Sequence, residues 1–419
     1  RGADPQWVSG MLGALDVVAD SCRFYAGQAR GQAAEAEPTR AAELHRMSET
    51  LGQVAATPPG TFLEALQLAW VYSLVAGVHN YGRMDVAFGP SLARDLDSGR
   101  LTEDEAQALL ESLWRLMAAR RTVYNGRVII GGAGRPDPQT ADRFARLALE
   151  ATRRVREVEP QLTFRFDGET DPELMALAYD VIGEGRTFPM LYNDRVNVPA
   201  VEKAFGVPRA EAEQYVPLGC GEYVLERRSL GTPNGVVNLL KGLEAAIHEG
   251  IEACATFEDL WDAYRAQVEP KIAALAEQQA LGHRALAGDA PMLLLGLLFH
   301  DCLERGRPLL EGGARYVGGT LETYGNISTS DSLAAIRDVV YDRKTLSPER
   351  LRQALRVDFV GFERERRSLR QVPKYGNDDD RADAMAVRVH EHVCRVTAAQ
   401  AERFGLHSYL VVIINNHAN

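Results

Sequence analysis

The sequence predicts an α/β fold built on a mainly parallel sheet, and three observations predict it. Short apolar runs rich in β-branched and aromatic residues recur at Val128-Ile129-Ile130, Leu162-Thr163-Phe164-Arg165-Phe166 and Pro189-Met190-Leu191-Tyr192. Between them lie stretches with helical periodicity, Thr140 to Arg154 and from Asp171-Pro172 to about Ile182. Parallel neighbours need crossovers of that length, whereas hairpins need only a turn. Thirdly, the 419 residues show no linker, low-complexity tract or internal repeat, so one domain spanning 1–419 is the simplest organisation.

The remaining elements follow from local signals. Val8 to Arg30 and Thr39 to Val54 read as helices, and Pro58-Pro59-Gly60 interrupts them. Thr61 with Glu64 three residues on forms a capping box for a helix over Phe62 to Leu74. Thr102 opens another, with Glu103, Asp104 and Glu105 in the first turn. Tyr215 to Leu218 is a short strand, and Asn238 to Gly250 and Phe257 to Ala287 are helices. Ser330-Asp331-Ser332 precedes a helix to about Val340, Thr345 to Glu349 opens the next, and Asp383 to Phe404 is long and helical. Ser408 to Ile414 reads as a closing strand.

Bulk properties exclude several classes. The chain is 46% hydrophobic and 25% charged with net charge −11, which argues against duplex nucleic acid as a partner. The basic pair Arg120-Arg121 and the run from Arg364 to Arg370 read as solvated helix faces. Cys22, Cys220, Cys254, Cys302 and Cys394 have no motif-like spacing, which favours a reducing cytoplasm. Apolar stretches such as Met292 to Phe299 are too short to span a bilayer. His390, His392 and Cys394 do not share one helix face, so a metal site is not expected there. Asn377-Asp378-Asp379-Asp380 lacks calcium-loop spacing and is read as a helix cap. Gly131-Gly132-Ala133-Gly134 lacks the lysine and the spacing of nucleotide-binding loops, and no cysteine cluster fits an iron–sulfur centre.

The stretch that carries chemistry is Val216-Pro217-Leu218-Gly219-Cys220-Gly221-Glu222. Flanking glycines suit a tight loop tip. In extended backbone, residues two apart point the same way, so Cys220 and Glu222 would present a thiol and a carboxylate together. A neighbouring carboxylate raises a thiol pKa, which disfavours a nucleophilic thiolate. A neutral S–H suits hydrogen-atom transfer, with Glu222 as a general base beside it. A buried structural cysteine beside a surface glutamate is the alternative on this local pattern.

Beyond that loop, the chain resembles the pyruvate formate-lyase-like family of glycyl radical enzymes. Gly219-Cys220-Gly221-Glu222 is similar to the family's Gly-Cys-x-Glu finger loop. Thr61 to Gln67, Gly82-Arg83-Met84-Asp85, Glu159 to Arg165 and Pro189 to Asp194 resemble family segments. So do Asn238 to Glu244, Gly312 to Tyr316, Asp331 to Ile336 and Tyr375 to Asp378, all in family order. The resemblance implies a ten-stranded α/β barrel of two antiparallel five-stranded half-barrels, surrounded by helices with the finger loop inside, and incomplete at both ends. It also implies that Cys220 becomes a thiyl radical, that Glu222 assists catalysis, and that Asp85, Tyr81 and Arg165 face the substrate. Arg83 and Asp85 as a structural ion pair is the competing reading of that segment.

Two departures qualify what the resemblance implies. No Arg-Val-x-Gly-Tyr radical loop follows near the C-terminus, and Arg315 to Gly319 occupies the place of a different segment. The glycine radical is therefore expected from a missing segment or a partner, installed by an activating enzyme that uses SAM and a [4Fe–4S] cluster. Alone, the chain is expected to be inactive. Gly219, not a second cysteine, precedes Cys220, which favours dehydratases and C–O, C–N, C–S or C–C lyases over the pyruvate reaction. A small-molecule substrate and a homodimer are further expectations of the resemblance. Two other readings stay open: a degenerate member that binds without radical chemistry, and an enzyme that uses Cys220 as a nucleophile.

Overall fold

The computed structural model describes residues 4–121, 126–219 and 221–414. The chain forms two compact units, Arg1–Ser229 with Ala287–Arg315, and Leu230–Leu286 with Tyr316–Asn419.

In the first unit, helices Pro5–Ala33, Pro38–Val54 and Phe62–Val75 lead into the sheet. The expected capping box is present. Thr61 accepts from the Glu64 amide and Glu64 reaches back to the Thr61 amide at 3.1 Å, and Thr102 with Glu105 repeats the arrangement for Glu103–Ala119. Four strands follow: β1 (Asn80–Arg83), β2 (Arg127–Gly131), β3 (Gln161–Phe166) and β4 (Met190–Asn193). They pair in that order and all in parallel, so each connection is a helical crossover.

The alternation along these strands separates two faces. Val128, Ile130, Leu162 and Phe164 are fully buried and pack with Trp114, Phe144 and Leu149 of the covering helices. The opposite face carries Arg127, Ile129, Thr163, Arg165 and Tyr192, brought into line by the pairings Arg127 with Gln161, Ile129 with Thr163 and Arg165 with Tyr192. An antiparallel hairpin, β5 (Tyr215–Leu218) and β6 (Glu222–Leu225), lies against this second face. It packs there because Val216 and Val224 bury themselves on Ile129.

The second unit is built on a parallel sheet in which Gly319–Tyr324 is flanked by Pro233–Asn238 and Tyr409–Ile413. Helices Leu239–Gly250, Phe257–Asp289, Asn326–Ile336 and Asp380–Phe404 cover it, and Tyr264, Val268, Ile272, Leu321, Leu333, Val389 and Val393 fill its core.

Several boundaries differ from the sequence reading. Strand Gly319–Tyr324 and strand Glu222–Leu225 were not anticipated. The helix expected after Ser330 begins at Asn326, directly after the strand, with Gly325 in left-handed backbone at its start. Arg120 is half-buried, and its guanidinium donates to the Val78 carbonyl at 2.6 Å instead of facing solvent. Helix Glu363–Arg370 buries no residue, in keeping with a solvated basic face. Asp379 caps helix Asp380–Phe404 through the Arg381 and Ala382 amides. His390 lies 3.5 Å from the Cys394 sulfur, while His392 is buried edge-on to Trp261. Among the described residues no group of His, Cys, Asp and Glu could hold a metal ion, and no helix is long and apolar enough to cross a membrane.

Ile129 is the apolar anchor between sheet and hairpin. Ile129→Ala is expected to lower stability by about 2–5 kcal/mol, the range for truncating a buried aliphatic side chain. Denaturant unfolding measures it.

Candidate active site

The site is assembled where the β5–β6 hairpin turns over the polar face of the sheet. Leu218 pairs with Glu222, so the turn is Gly219, residue 220 and Gly221, closed by the Gly221 amide donating to the Leu218 carbonyl at 2.7 Å. Gly219 adopts φ +44° and Gly221 φ +122°, both in the left-handed half of backbone space. A side chain at 219 would also strike the Glu222 carboxylate, 2.8 Å from where its Cβ would stand. Cys220 itself lies outside the described residues.

Glu222 is buried, with 6% of its surface exposed, and its Oε2 accepts from the Gly221 amide at 3.0 Å. That bond folds the carboxylate back over the turn. The Tyr192 hydroxyl lies near the same turn, 3.3 Å from where a Cβ on Gly221 would be. Behind it the Tyr223 ring packs at a tilt between Tyr192 and Tyr215, and its hydroxyl donates to Asn197 Oδ1 at 2.7 Å. Burial pushes the Tyr223 phenol far up, so it keeps its proton across the usual pH range.

Two side chains hold the backbone of Gly219. Its amide donates to Asn80 Oδ1 at 3.3 Å, and its carbonyl accepts from an Arg127 Nη2. Arg127 is 1% exposed, and its guanidinium also reaches Thr163 Oγ1 at 2.8 Å, Met190 Sδ at 3.4 Å and Gln161 Oε1 at 3.4 Å. Neither residue stood out in the sequence. The signal available was an arginine immediately before the apolar triplet Val128-Ile129-Ile130, a charge at an inward strand position.

Arg165 and Asp85 sit away from the turn: Arg165 meets the hairpin's base at Glu213 and Tyr215, and Asp85 meets Gly131 at the end of β2. Arg165 has no exposed surface and forms a two-pronged pair with Asp194, Nε to Oδ1 at 3.1 Å and Nη2 to Oδ2 at 2.8 Å. Its remaining contacts are the Tyr215 carbonyl at 2.8 Å, the Glu213 carbonyl at 3.0 Å and the Tyr215 ring, 3.9 Å beneath the guanidinium. Asp85 is fully buried. One oxygen accepts from the Gly131 amide at 2.8 Å and the other from Val86 at 2.9 Å. Its ion pair is with Arg135 at 3.8 Å, whereas Arg83 is spent on the Gly131 and Glu213 carbonyls and the Gln214 side chain. Burial pushes the Asp85 carboxyl up to about 6, against the opposing pull of Arg83, the Gly131 amide and Arg135. Tyr81 is half-buried and its hydroxyl accepts from Arg120 at 3.3 Å. The structure thus brings Glu222, Tyr192, Asn80 and Arg127 to the turn, and gives Asp85 and Arg165 backbone and ion-pair partners.

Asp194→Asn is expected to destabilise the fold by about 3–5 kcal/mol, because it leaves Arg165 as a buried charge without its counter-charge. The Tm in thermal unfolding reports it. Asp85 has a pH signature. Its folded pKa lies above the ordinary 3.8, so between about 6 and 3.8 the folded chain binds the extra proton and stability rises as pH falls. Relative to Asp85→Asn, which does not titrate, wild type should therefore gain stability through that window. A flat or opposite difference in denaturant midpoints would exclude it.

The model of the family described as pyruvate formate lyase-like matches residues 6–417. A probable dehydratase of Escherichia coli (strain K12), YbiW, is 26% identical over 91% of this chain and 53% of its own length. The isethionate sulfite-lyase of Nitratidesulfovibrio vulgaris is 28% identical over 95% of this chain and 53% of its own. The glycerol-bound form of the B12-independent glycerol dehydratase from Clostridium butyricum superposes with a TM-score of 0.86 at 23% identity, over 99% of this chain and 57% of that one. The fold is therefore the barrel fold of those enzymes, and the chain spans about half the length of the curated relatives it matches.

Proposed function

Given that this chain belongs to the pyruvate formate lyase-like family, we propose that it carries the catalytic turn of a glycyl-radical lyase or dehydratase acting on a small polar substrate. The observation that carries the reading is the Glu222 carboxylate, buried and folded over the glycine turn that holds residue 220. A carboxylate serving only solubility would face solvent.

In this reading a Cys220 thiyl removes a hydrogen atom from a substrate carbon, so an S–H bond forms and a C–H bond breaks. The substrate radical expels a group from the adjacent carbon. For a hydroxyl leaving group beside a radical carbon that bears its own hydroxyl, Glu222 takes the proton of that second hydroxyl and passes it to the departing one, which leaves as water while the substrate's C–O bond becomes a carbonyl. The product radical then takes the hydrogen back from Cys220, which restores the thiyl. A glycine radical outside these residues, installed by an activating enzyme that uses SAM and a [4Fe–4S] cluster, supplies the unpaired electron. The dehydratase and sulfite-lyase names of the relatives support a substrate with an oxygen- or sulfur-bearing leaving group beside the attacked carbon. Asp85 and Arg165 serve this site through the backbone they hold, and Tyr81 is proposed at its margin. A homodimer and a cytoplasmic location belong to the same proposal.

The test uses the full reading frame, activated anaerobically by its activating enzyme, with glycerol and isethionate as probes and products followed by NMR. Wild type should show a glycine-centred doublet by electron paramagnetic resonance and turn over one probe or a close analogue. Cys220→Ser should keep the doublet and lose turnover. Glu222→Gln should lower kcat by about 10²–10⁴, the range for removing a general acid–base group. Undiminished turnover in Cys220→Ser would sink the proposal.

A further inference from the structure

We infer that Arg127 is a positioning residue for the radical chemistry: it grips the Gly219 carbonyl and thereby sets where the Cys220 thiol stands. The inference rests on the reading of Cys220 as the hydrogen-abstracting residue.

The Gly219 carbonyl belongs to the same rigid unit as the next residue's nitrogen and Cα, so a grip on that oxygen fixes how the chain enters position 220. Gly219 has no side chain of its own to pack, and its φ of +44° is a conformation glycine adopts cheaply and also leaves cheaply. Something outside the turn must therefore hold it. Two groups do: Asn80 accepts from its amide at 3.3 Å, and Arg127 donates to its carbonyl. Arg127 is the stronger of the two, because a charged donor makes the stronger hydrogen bond.

Arg127 is itself pinned from the far side. Thr163 Oγ1 takes an Nη1 hydrogen at 2.8 Å, with Met190 Sδ and Gln161 Oε1 at 3.4 Å each. Thr163 and Gln161 stand on β3, Met190 on β4 and Arg127 on β2, so the turn is referenced to three strands of the sheet at once. The planar fork of a guanidinium reaches several acceptors in fixed directions, which a lysine ammonium does not reproduce. With only 1% of its surface exposed, Arg127 is taken out of water at a cost that its hydrogen bonds, the one to the Gly219 carbonyl among them, offset.

The experiment reads the thiol directly, before activation and without substrate. The full-length protein is treated with iodoacetamide at neutral pH, and alkylation rates at Cys220 and Cys394 are followed by peptide mass spectrometry. In Arg127→Gln the Cys220 rate should rise about tenfold, the factor by which losing one charge-assisted hydrogen bond shifts a local opening equilibrium, while Cys394 is unchanged. Arg127→Lys should fall between the two, and Asn80→Ala should repeat the rise more weakly whereas Asn80→Asp, which keeps the acceptor, should not. If Arg127→Gln does not fold, Arg127→Lys and the Asn80 pair decide. After activation, the same variants should keep the glycine doublet and lose kcat on the turned-over probe at unchanged KM. Folded Arg127 variants with wild-type Cys220 alkylation would overturn the inference, as would equal acceleration at Cys394, which signals general loosening. Retained turnover in Cys220→Ser would instead remove the underlying reading, so the two failures are distinguishable.

Discussion

The buried Arg165–Asp194 pair is the interaction on which the site's architecture depends. Taking both charges out of water costs several kcal/mol each, and the pair persists only because nearly every polar atom finds a partner. Asp194 accepts from Arg165 twice, from the Tyr215 hydroxyl at 2.7 Å and from the Ala133 amide at 2.7 Å. Arg165 spends its other donors on the Tyr215 and Glu213 carbonyls. These contacts join β3, the end of β4, the loop after β2 and the start of β5, so one ion pair fixes the hairpin's base relative to the sheet. The close quarters show at Gly132, where a Cβ would stand 2.5 Å from the Asp194 carboxylate. Burial also pushes the Tyr215 phenol far up, which keeps its proton available as a donor to Asp194.

From that anchor the division of the sheet follows. Parallel strands covered on both sides ordinarily read as continuous apolar runs. Here one face is apolar and packs on helices, while the other alternates Arg127, Thr163, Arg165 and Tyr192 with Ile129 as its main hydrophobic patch. The hairpin covers this face with few apolar contacts, and polar bonds aim it. A cover held mainly by packing would tolerate sliding. One held by directional bonds at Asn80, Arg127 and Arg165 does not.

How much of this was legible depended on the range of each interaction. Capping boxes at Thr61 and Thr102 lie within one turn, and both stand where the sequence put them. Strands β2, β3 and β4 were legible because short apolar or alternating runs separated by helical stretches leave little choice. Strand Gly319–Tyr324 was not, since Gly-Thr-Leu-Glu-Thr-Tyr has a single aliphatic residue and owes its burial to both neighbours in the sheet. Glu222–Leu225 was hidden because its partner is fixed by a turn of unusual backbone. At the site, Asp85 and Arg165 were visible as residues that matter, but their partners Gly131 and Asp194 stand 46 and 29 positions away. Arg127 drew no attention since its acceptor, Gly219, is 92 positions away. The family resemblance supplied the order of segments, and only the fold showed which of their side chains meet.

With Cys220 in the role proposed for it, a turn made of two glycines around that one residue has a particular weakness. Glycine allows the tight backbone and the close approach of Glu222, but it contributes no packing and gives the turn the largest conformational entropy to lose. Hydrogen-atom transfer needs donor and acceptor atoms nearly in contact, so a loop that wanders by an ångström loses much of its rate. Precision must then come from residues that never touch the substrate, held on regular elements. The chain meets that requirement by placing Arg127 and Asn80 on adjacent parallel strands, where the register Asn80 with Arg127 sets their spacing. The cost is a buried guanidinium in β2. The gain is that the peptide leading into residue 220 is located by the sheet, the most rigid part of the unit, and not by the turn itself.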